Sequence, residues 1–275
     1  MEEKRYKVLS IGAHPDDADT SAGGLLKKLA DKGWEVRLLS LTDGSRGTYD
    51  PDLAGEKLAE IRKAEAAASG ALFGGCYDVW DIEDTRLTAS VENRERLIRY
   101  IREFAPDLVI TNRPNDYHTD HRNAALLVQD ASYLLTVPAC CPDTPAMRYA
   151  PVMLFWHDSF QKPYPFCADV VVPIDDQLDT LVKAACCHES QYFDWMYWPD
   201  NMEKASWPKE KKAQDLAERY DRLFARFRSE YAAEVVEKFG EKAEEIGHVE
   251  VFEICEYGEE PSAEFLEMLA KSSFP

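Results

Sequence analysis

Two short clusters in the chain combine side chains that hold metal ions with side chains that move protons. The first is Ala13-His14-Pro15-Asp16-Asp17 and the second is His118-Thr119-Asp120-His121. Together they supply three histidines and three aspartates. Two His and one Asp, with a fourth position left to water, form a catalytic zinc set, and zinc lowers the pKa of its water to about 7. Adjacent Asp16 and Asp17 on a turn point in different directions, so one can ligate a metal while the other handles protons. Taken singly, each cluster has a plainer account. An aspartate in the first can cap the following helix, and the histidines of the second can be an exposed loop pair. Their joint occurrence favours the chemistry.

The elements around them follow from apolar periodicity. Residues 6–11 read as a strand, 20–31 as a helix with Leu25, Leu26 and Leu29 on one face, and 35–41 as a second strand. A helix over 55–69, a strand over 76–80, a helix over 90–104 and a strand over 107–111 come next. Leu97, Ile98, Ile101 and Phe104 keep helical step, and Ser90 is placed to cap that helix. Such alternation of strand and helix is the signature of a parallel sheet with helices on both faces. Each cluster follows a strand, which puts both at the carboxyl edge where open α/β sheets place their sites. A dinucleotide-binding protein would have a glycine-rich turn at the first position; an imidazole and two carboxylates there repel phosphate and attract a cation.

The second half is less regular. Strands are predicted over 152–156, 168–172 and 249–255, a helix over 174–187, and a long amphipathic helix within 209–239 marked by Leu216, Tyr220, Phe224 and Phe227. With no linker or internal repeat, the expectation is an α/β, Rossmann-like, mostly parallel sheet with helices on both faces. It forms one domain over 1–275, with a core over 5–192 and a C-terminal helical and aromatic elaboration over 193–275.

Composition narrows the function. The 32 Lys and Arg against 51 Asp and Glu give a formal charge of −19, a field that disfavours nucleic acid and anionic membrane surfaces. Seven cysteines, scattered and without a C-x-x-C repeat, read as reduced thiols. The start carries no signal-peptide pattern and nothing approaches a membrane span, so a cytoplasmic location is expected. Oligomeric state is left open, a homo-oligomer included.

The motifs AHPDDAD and HTDH, in this order and setting, resemble those of the PIG-L/LmbE-like zinc-dependent N-deacetylase family, whose patterns are A-H-P-D-D and H-P-D-H. Gly23-Gly24, the LTDGSRGTYDP segment and His188-Glu189-Ser190-Gln191 also look like family segments. The resemblance implies His14, Asp17 and His121 as ligands of one Zn2+ per chain, and Asp16 as general base. It implies His118 as a cationic donor beside the developing oxyanion, with the Asp120 carboxylate orienting it. The activity implied is removal of an N-acetyl group from an N-acetylglucosamine-type sugar, a small acylated amino sugar being the partner. Thr119 stands where the family has proline, and Asp19 where many relatives have Glu; neither change removes a proposed ligand.

Three other readings stay open on the residues: a zinc amidase for another small acylated amine, a metal- or sugar-binding protein without catalysis, and a metal-dependent phosphoesterase. The last needs more bridging carboxylates than the two motifs offer. Around the centre, Arg46 and Tyr117 are candidate substrate contacts, and Asn115 or Asp116 can line the pocket. His188 and Gln191 can reach it from the far side or end a helix. The aromatic run Tyr192, Phe193, Trp195, Tyr197, Trp198 and Trp207 can stack on sugar rings, although anchoring an irregular segment or a subunit interface is the stronger account.

Overall fold

Alternating side chains along the first strand already divide the molecule into two cores. A computed structural model describes residues 5–197 and 202–270. In β1 (Lys7–Gly12), Val8 faces one apolar layer while Leu9 and Ile11 face the other. The same split recurs in β2 (Glu35–Ser40), β4 (Leu108–Thr111) and β5 (Val152–Trp156), where Leu154 and Trp156 oppose Met153 and Phe155. Strands buried on both faces need helices on both faces, as the sequence predicts.

The helices of this half are α1 (Asp17–Thr20), α2 (Gly23–Asp31), α3 (Glu56–Leu72), α4 (Val91–Phe104) and α5 (Thr119–Leu134), with β3 (Cys76–Val79) between α3 and α4. Leu25, Leu26 and Leu29 of α2 are wholly buried in one layer, each stabilising the fold by about 1.5–3 kcal/mol. Leu97, Ile98 and Ile101 of α4 lie in the other layer with Leu127 and Val128 of α5. Ser90 caps α4 by accepting the Asn93 amide at 3.2 Å, as expected.

Beyond β5 come β6 (Val170–Pro173), α6 (Leu178–Cys187), a π turn at Ser190–Asp194 and a 3-10 turn at Trp195–Tyr197. They are followed by α7 (Met202–Ala205), α8 (Lys209–Glu230), α9 (Ala232–Phe239), β7 (Val249–Ile254) and α10 (Ala263–Ala270). The expected single helix over 209–239 is two, because Tyr231 leaves helical geometry at φ −106° and ψ 35°. Tyr220, Phe224 and Phe227 of α8 cover the same layer as α2 and α6.

One seven-stranded sheet results, in the order β3-β2-β1-β4-β5-β7-β6. Pairings among β1 to β5 are parallel, whereas β7 runs antiparallel to both β5 and β6. The C-terminal segment is therefore more than an appendage, since β7 fills the gap between two earlier strands. Its fully buried Glu250 accepts the Gly24 and Leu25 amides, both at 2.8 Å, and so satisfies the first turn of α2. Among the described residues no helix is long and apolar enough to cross a membrane.

Candidate metal and catalytic centre

Strand order decides which loops meet. Because β2 and β4 flank β1, the loops that follow them flank the His14–Asp17 turn, and β5 contributes the next loop outward. The turn forms as β1 ends: the amides of Asp16 and Asp17 both donate to the His14 carbonyl, at 2.8 and 3.2 Å. Gly12 makes the turn tight enough, since a Cβ there would fall 2.5 Å from Asp17 Cβ. Asp17 Oδ2 then accepts the amides of Ala13 and His14 at 2.9 Å each.

Three donor atoms converge beside this turn. His14 Nδ1 lies 3.1 Å from His121 Nε2 and 3.6 Å from Asp17 Oδ2, and His121 Nε2 lies 3.5 Å from Asp17 Oδ2. Tetrahedral ligands with bonds of about 2.0–2.1 Å stand about 3.3–3.4 Å apart, so the triangle has the size one zinc ion requires. The outward nitrogen of each imidazole is held by a carboxylate. His14 Nε2 meets Asp84 Oδ1 at 3.2 Å, and His121 Nδ1 meets Asp116 Oδ2 at 3.0 Å. That is how metal-ligating histidines are normally oriented, with the inward nitrogen left as acceptor. The residues present fit the ion.

Electrostatics point the same way. Burial opposes charging His14, but Asp120, Asp17 and Asp84 outweigh it and raise its pKa well above the usual imidazole value. Burial likewise opposes the charge on His121, and Asp17 and Asp116 raise its pKa. Against its own burial, Asp17 is held far below the ordinary carboxylate range by His121 and His14. The pocket is built to surround positive charge.

His118 caps α5 and behaves differently. Its Nδ1 accepts the Asp120 amide at 3.1 Å, which assigns the ring proton to Nε2. Burial, with the charges of His14 and His121, lowers its pKa, and the same hydrogen bond leaves Nε2–H as its free donor. Among the described residues no hydrogen bond joins the Asp120 carboxylate to the His118 ring. Asp120 Oδ2 accepts the Thr85 amide at 2.7 Å and lies 3.6 Å from His14 Nε2, and contact with His118 runs through the backbone.

Asp16 is fixed by Arg62, whose Nη2 donates to Oδ1 at 2.7 Å. Sequence reasoning missed Arg62, although α3 carried a signal. Leu58, Arg62, Ala66 and Ser69 form its buried stripe, and an arginine in an apolar stripe needs a partner. Asp84 was also missed; it lies in the loop after β3, at the same sheet edge. Asp116, considered only as lining, holds both His121 and the His118 amide.

The other candidates are more dispersed. Arg46 turns its guanidinium to Glu83, while its amide donates to Asp84 Oδ2 at 3.2 Å. Tyr117 is 73% exposed and packs edge-on against the rings of His118 and His121. Asn115 donates to the Tyr164 carbonyl, so it serves the loop after β5. His188 is fully buried on Asp19 at 2.7 Å, and Gln191 donates to the Gly47 carbonyl at 3.0 Å; both brace the site from behind. In the aromatic run, Phe193 and Tyr197 are core, and Trp207 lies under Lys211. Among the described residues of the run, Trp195 stacks on a ring from a site loop, that of Tyr49. Trp198 lies outside the described residues. A separate cavity of about 800 Å³, lined by Phe155, Tyr164, Glu253, Cys255, Tyr257 and Glu259 among others, shares none of the clustered residues.

Known proteins place this arrangement. The diacetylchitobiose deacetylase of Thermococcus kodakarensis is 33% identical over 204 residues, 70% of this chain and 73% of that protein. The 4-oxalmesaconate hydratase of Pseudomonas putida is 25% identical over 205 residues, covering 72% and 79%. The solved N,N'-diacetylchitobiose deacetylase of Pyrococcus horikoshii superposes with a TM-score of 0.70 at 27% identity, covering 94% of this chain and 88% of its own. Residues 9–132 match the PIG-L family, described as GlcNAc-PI de-N-acetylase, a span that contains both clusters and the loops between them. With that match and those relatives, the chain belongs to the PIG-L family.

Proposed function

We propose that this chain hydrolyses the N-acetyl amide of an amino sugar, using one zinc ion held by His14 Nδ1, Asp17 Oδ2 and His121 Nε2. The observation that carries the reading is the donor triangle of 3.1, 3.5 and 3.6 Å, with a fixed carboxylate and an imidazole donor beside it. When bound, zinc supplies Lewis acidity toward the carbonyl and makes water acidic near neutral pH. Asp16 accepts the proton of the attacking water; Arg62 fixes its Oδ1, and the other oxygen is the acceptor. His118 Nε2–H donates to the carbonyl oxygen as negative charge gathers there, and its preorganised cap geometry limits reorganisation. Asp16 then returns its proton to the departing nitrogen, which makes the amine a competent leaving group.

The test is release of acetate and free amine from N,N'-diacetylchitobiose and N-acetylglucosamine by zinc-loaded protein. Absence of both products from every acetamido sugar offered would overturn the proposal. Asp16→Asn should keep zinc and lose about 10²–10⁴-fold in kcat.

Similarity to the 4-oxalmesaconate hydratase supports a second reading, addition of water across a carbon–carbon double bond at the same centre. Charge argues against it. The site gathers five carboxylates, Asp16, Asp17, Asp84, Asp116 and Asp120; Arg62 and Arg46 already pair with Asp16 and Glu83, and Arg122 is turned to the Asp116 and Tyr117 carbonyls. A polycarboxylate substrate would meet repulsion there. Loss of ultraviolet absorbance from a conjugated unsaturated dicarboxylate would favour the hydratase.

A further inference from the structure

Arg113 is wholly buried two residues beyond β4, in the loop that leads to His118. A buried guanidinium must place its N–H groups on acceptors, and those acceptors show what it holds. Its Nε donates to Glu253 of β7 at 3.1 Å. Its Nη1 donates to Asp158 Oδ1 at 3.1 Å and to the Phe160 carbonyl at 3.2 Å, and its Nη2 to the Tyr164 carbonyl at 2.9 Å. The Tyr164 ring lies against the guanidinium, its centroid 4.6 Å from Cζ. Residues 157–167 contain no helix or strand. With no regular structure to bond its backbone, this loop after β5 is folded around one side chain from a neighbouring loop.

The same loop reaches the centre. The Phe160 amide donates to Asp158 Oδ1 at 2.8 Å while Arg113 holds its carbonyl, so the backbone of Phe160 is fixed on both sides. Its ring faces that of Tyr117, with centroids 6.4 Å apart and planes 25° from parallel. The Tyr117 ring in turn stands 5.8 Å, centroid to centroid, from both the His118 and the His121 rings. Arg122 secures the backbone beneath it, donating to the Asp116 and Tyr117 carbonyls at 2.7 and 2.9 Å. What remains free is the swing of the Tyr117 side chain, and Phe160 limits it. Phe160 is 37% exposed and Tyr117 more so, which makes the pair an open wall rather than core. A ring in edge contact with both His118 and His121 borders any amide bound between them, and its apolar face suits sugar C–H groups or an acyl methyl. A wall already in place also avoids the cost of ordering it on binding.

We propose that Arg113 is a positioning residue for substrate binding: it folds the loop after β5 so that Phe160 sets Tyr117 as a wall the acetamido sugar contacts. This rests on the hydrolase reading for the identity of the ligand. Titration calorimetry of N-acetylglucosamine on zinc-loaded Asp16→Asn protein reads binding without turnover, and acetate release with Asp16 intact gives KM and kcat. Tyr117→Ala should raise Kd and KM about tenfold. Its kcat should change about threefold or less, and its zinc content not at all. Phe160→Ala should raise Kd and KM about three- to tenfold, and should add about twofold or less when combined with Tyr117→Ala, because it acts through that ring. Arg113→Lys keeps the charge and loses the planar fork. It should match Phe160→Ala in Kd, and amide hydrogen exchange should quicken over residues 157–167. Should Arg113→Lys fail to fold, Asp158→Asn weakens the same clamp from the loop side and carries the same expectation. An unchanged Kd in Phe160→Ala, losses that multiply in the double variant, or zinc loss accompanying them would overturn the proposal. Binding that depends on the wall, with no acetate released by wild type, would refute the hydrolase reading and leave the wall. Acetate release with a Kd that none of the variants alters would do the reverse.

Discussion

His14 Nδ1 and His121 Nε2 face each other across 3.1 Å although 107 residues of chain separate them. Two lone pairs at that distance repel unless a proton or a cation lies between them, and Asp17 Oδ2 closes the triangle that a cation would fill. Single His14→Ala, Asp17→Ala and His121→Ala variants should each lose most of their zinc while keeping native circular dichroism. Elemental analysis after dialysis measures this, and full zinc content in any one of them removes that residue from the ligand set.

Asp84 and Asp116 hold the outward nitrogens of His14 and His121, and would act at one remove on a metal bound there. Asp84→Asn and Asp116→Asn should each weaken zinc binding about 10–100-fold, the usual cost of losing such a partner. Competition with a chromophoric chelator reads the change. Unaltered affinity in both variants would mean that the rings are oriented by packing alone.

His157 offers a pH test away from the centre. It packs among Phe166, Phe227 and Tyr231, and burial, reinforced by Arg226 and Arg113, lowers its pKa to about 4. The unfolded chain takes up this proton near pH 6.5 and the folded chain only near 4. Stability should therefore fall as pH drops through that window, by at most about 3 kcal/mol from this residue. Urea denaturation of wild type and His157→Phe at several pH values should show a shallower acid slope in the variant. Parallel slopes would assign the loss to other groups.

Glu250 tests how the last strand supports the first helix. Glu250→Ala leaves the Gly24 and Leu25 amides without their acceptor in a buried setting, which should destabilise by about 2–4 kcal/mol. Denaturation midpoints measure the loss. A change near zero would show that water replaces the carboxylate there.

Much of the candidate site is legible in the sequence, and the reason is local. His14, Asp16 and Asp17 share one turn, and His118, Asp120 and His121 share one helix start, so residue type and spacing alone display their chemistry. The strands that carry them were legible because their apolar runs are short and bounded by helical periods. Only the tertiary structure decided what holds those side chains. Asp84 and Arg62 reach the centre from loops and helices whose neighbours are set by strand order, and no local pattern encodes that order. The carboxylate of Asp120 looked like a partner for His118, yet helix-start geometry gives His118 the backbone amide and turns the carboxylate toward Thr85 and His14. The antiparallel insertion of β7 between β5 and β6 was equally hidden. Alternation marks a strand, but partner and direction depend on contacts between residues about a hundred positions apart, where β5 meets β7, and such contacts are decided by packing rather than by neighbouring residues.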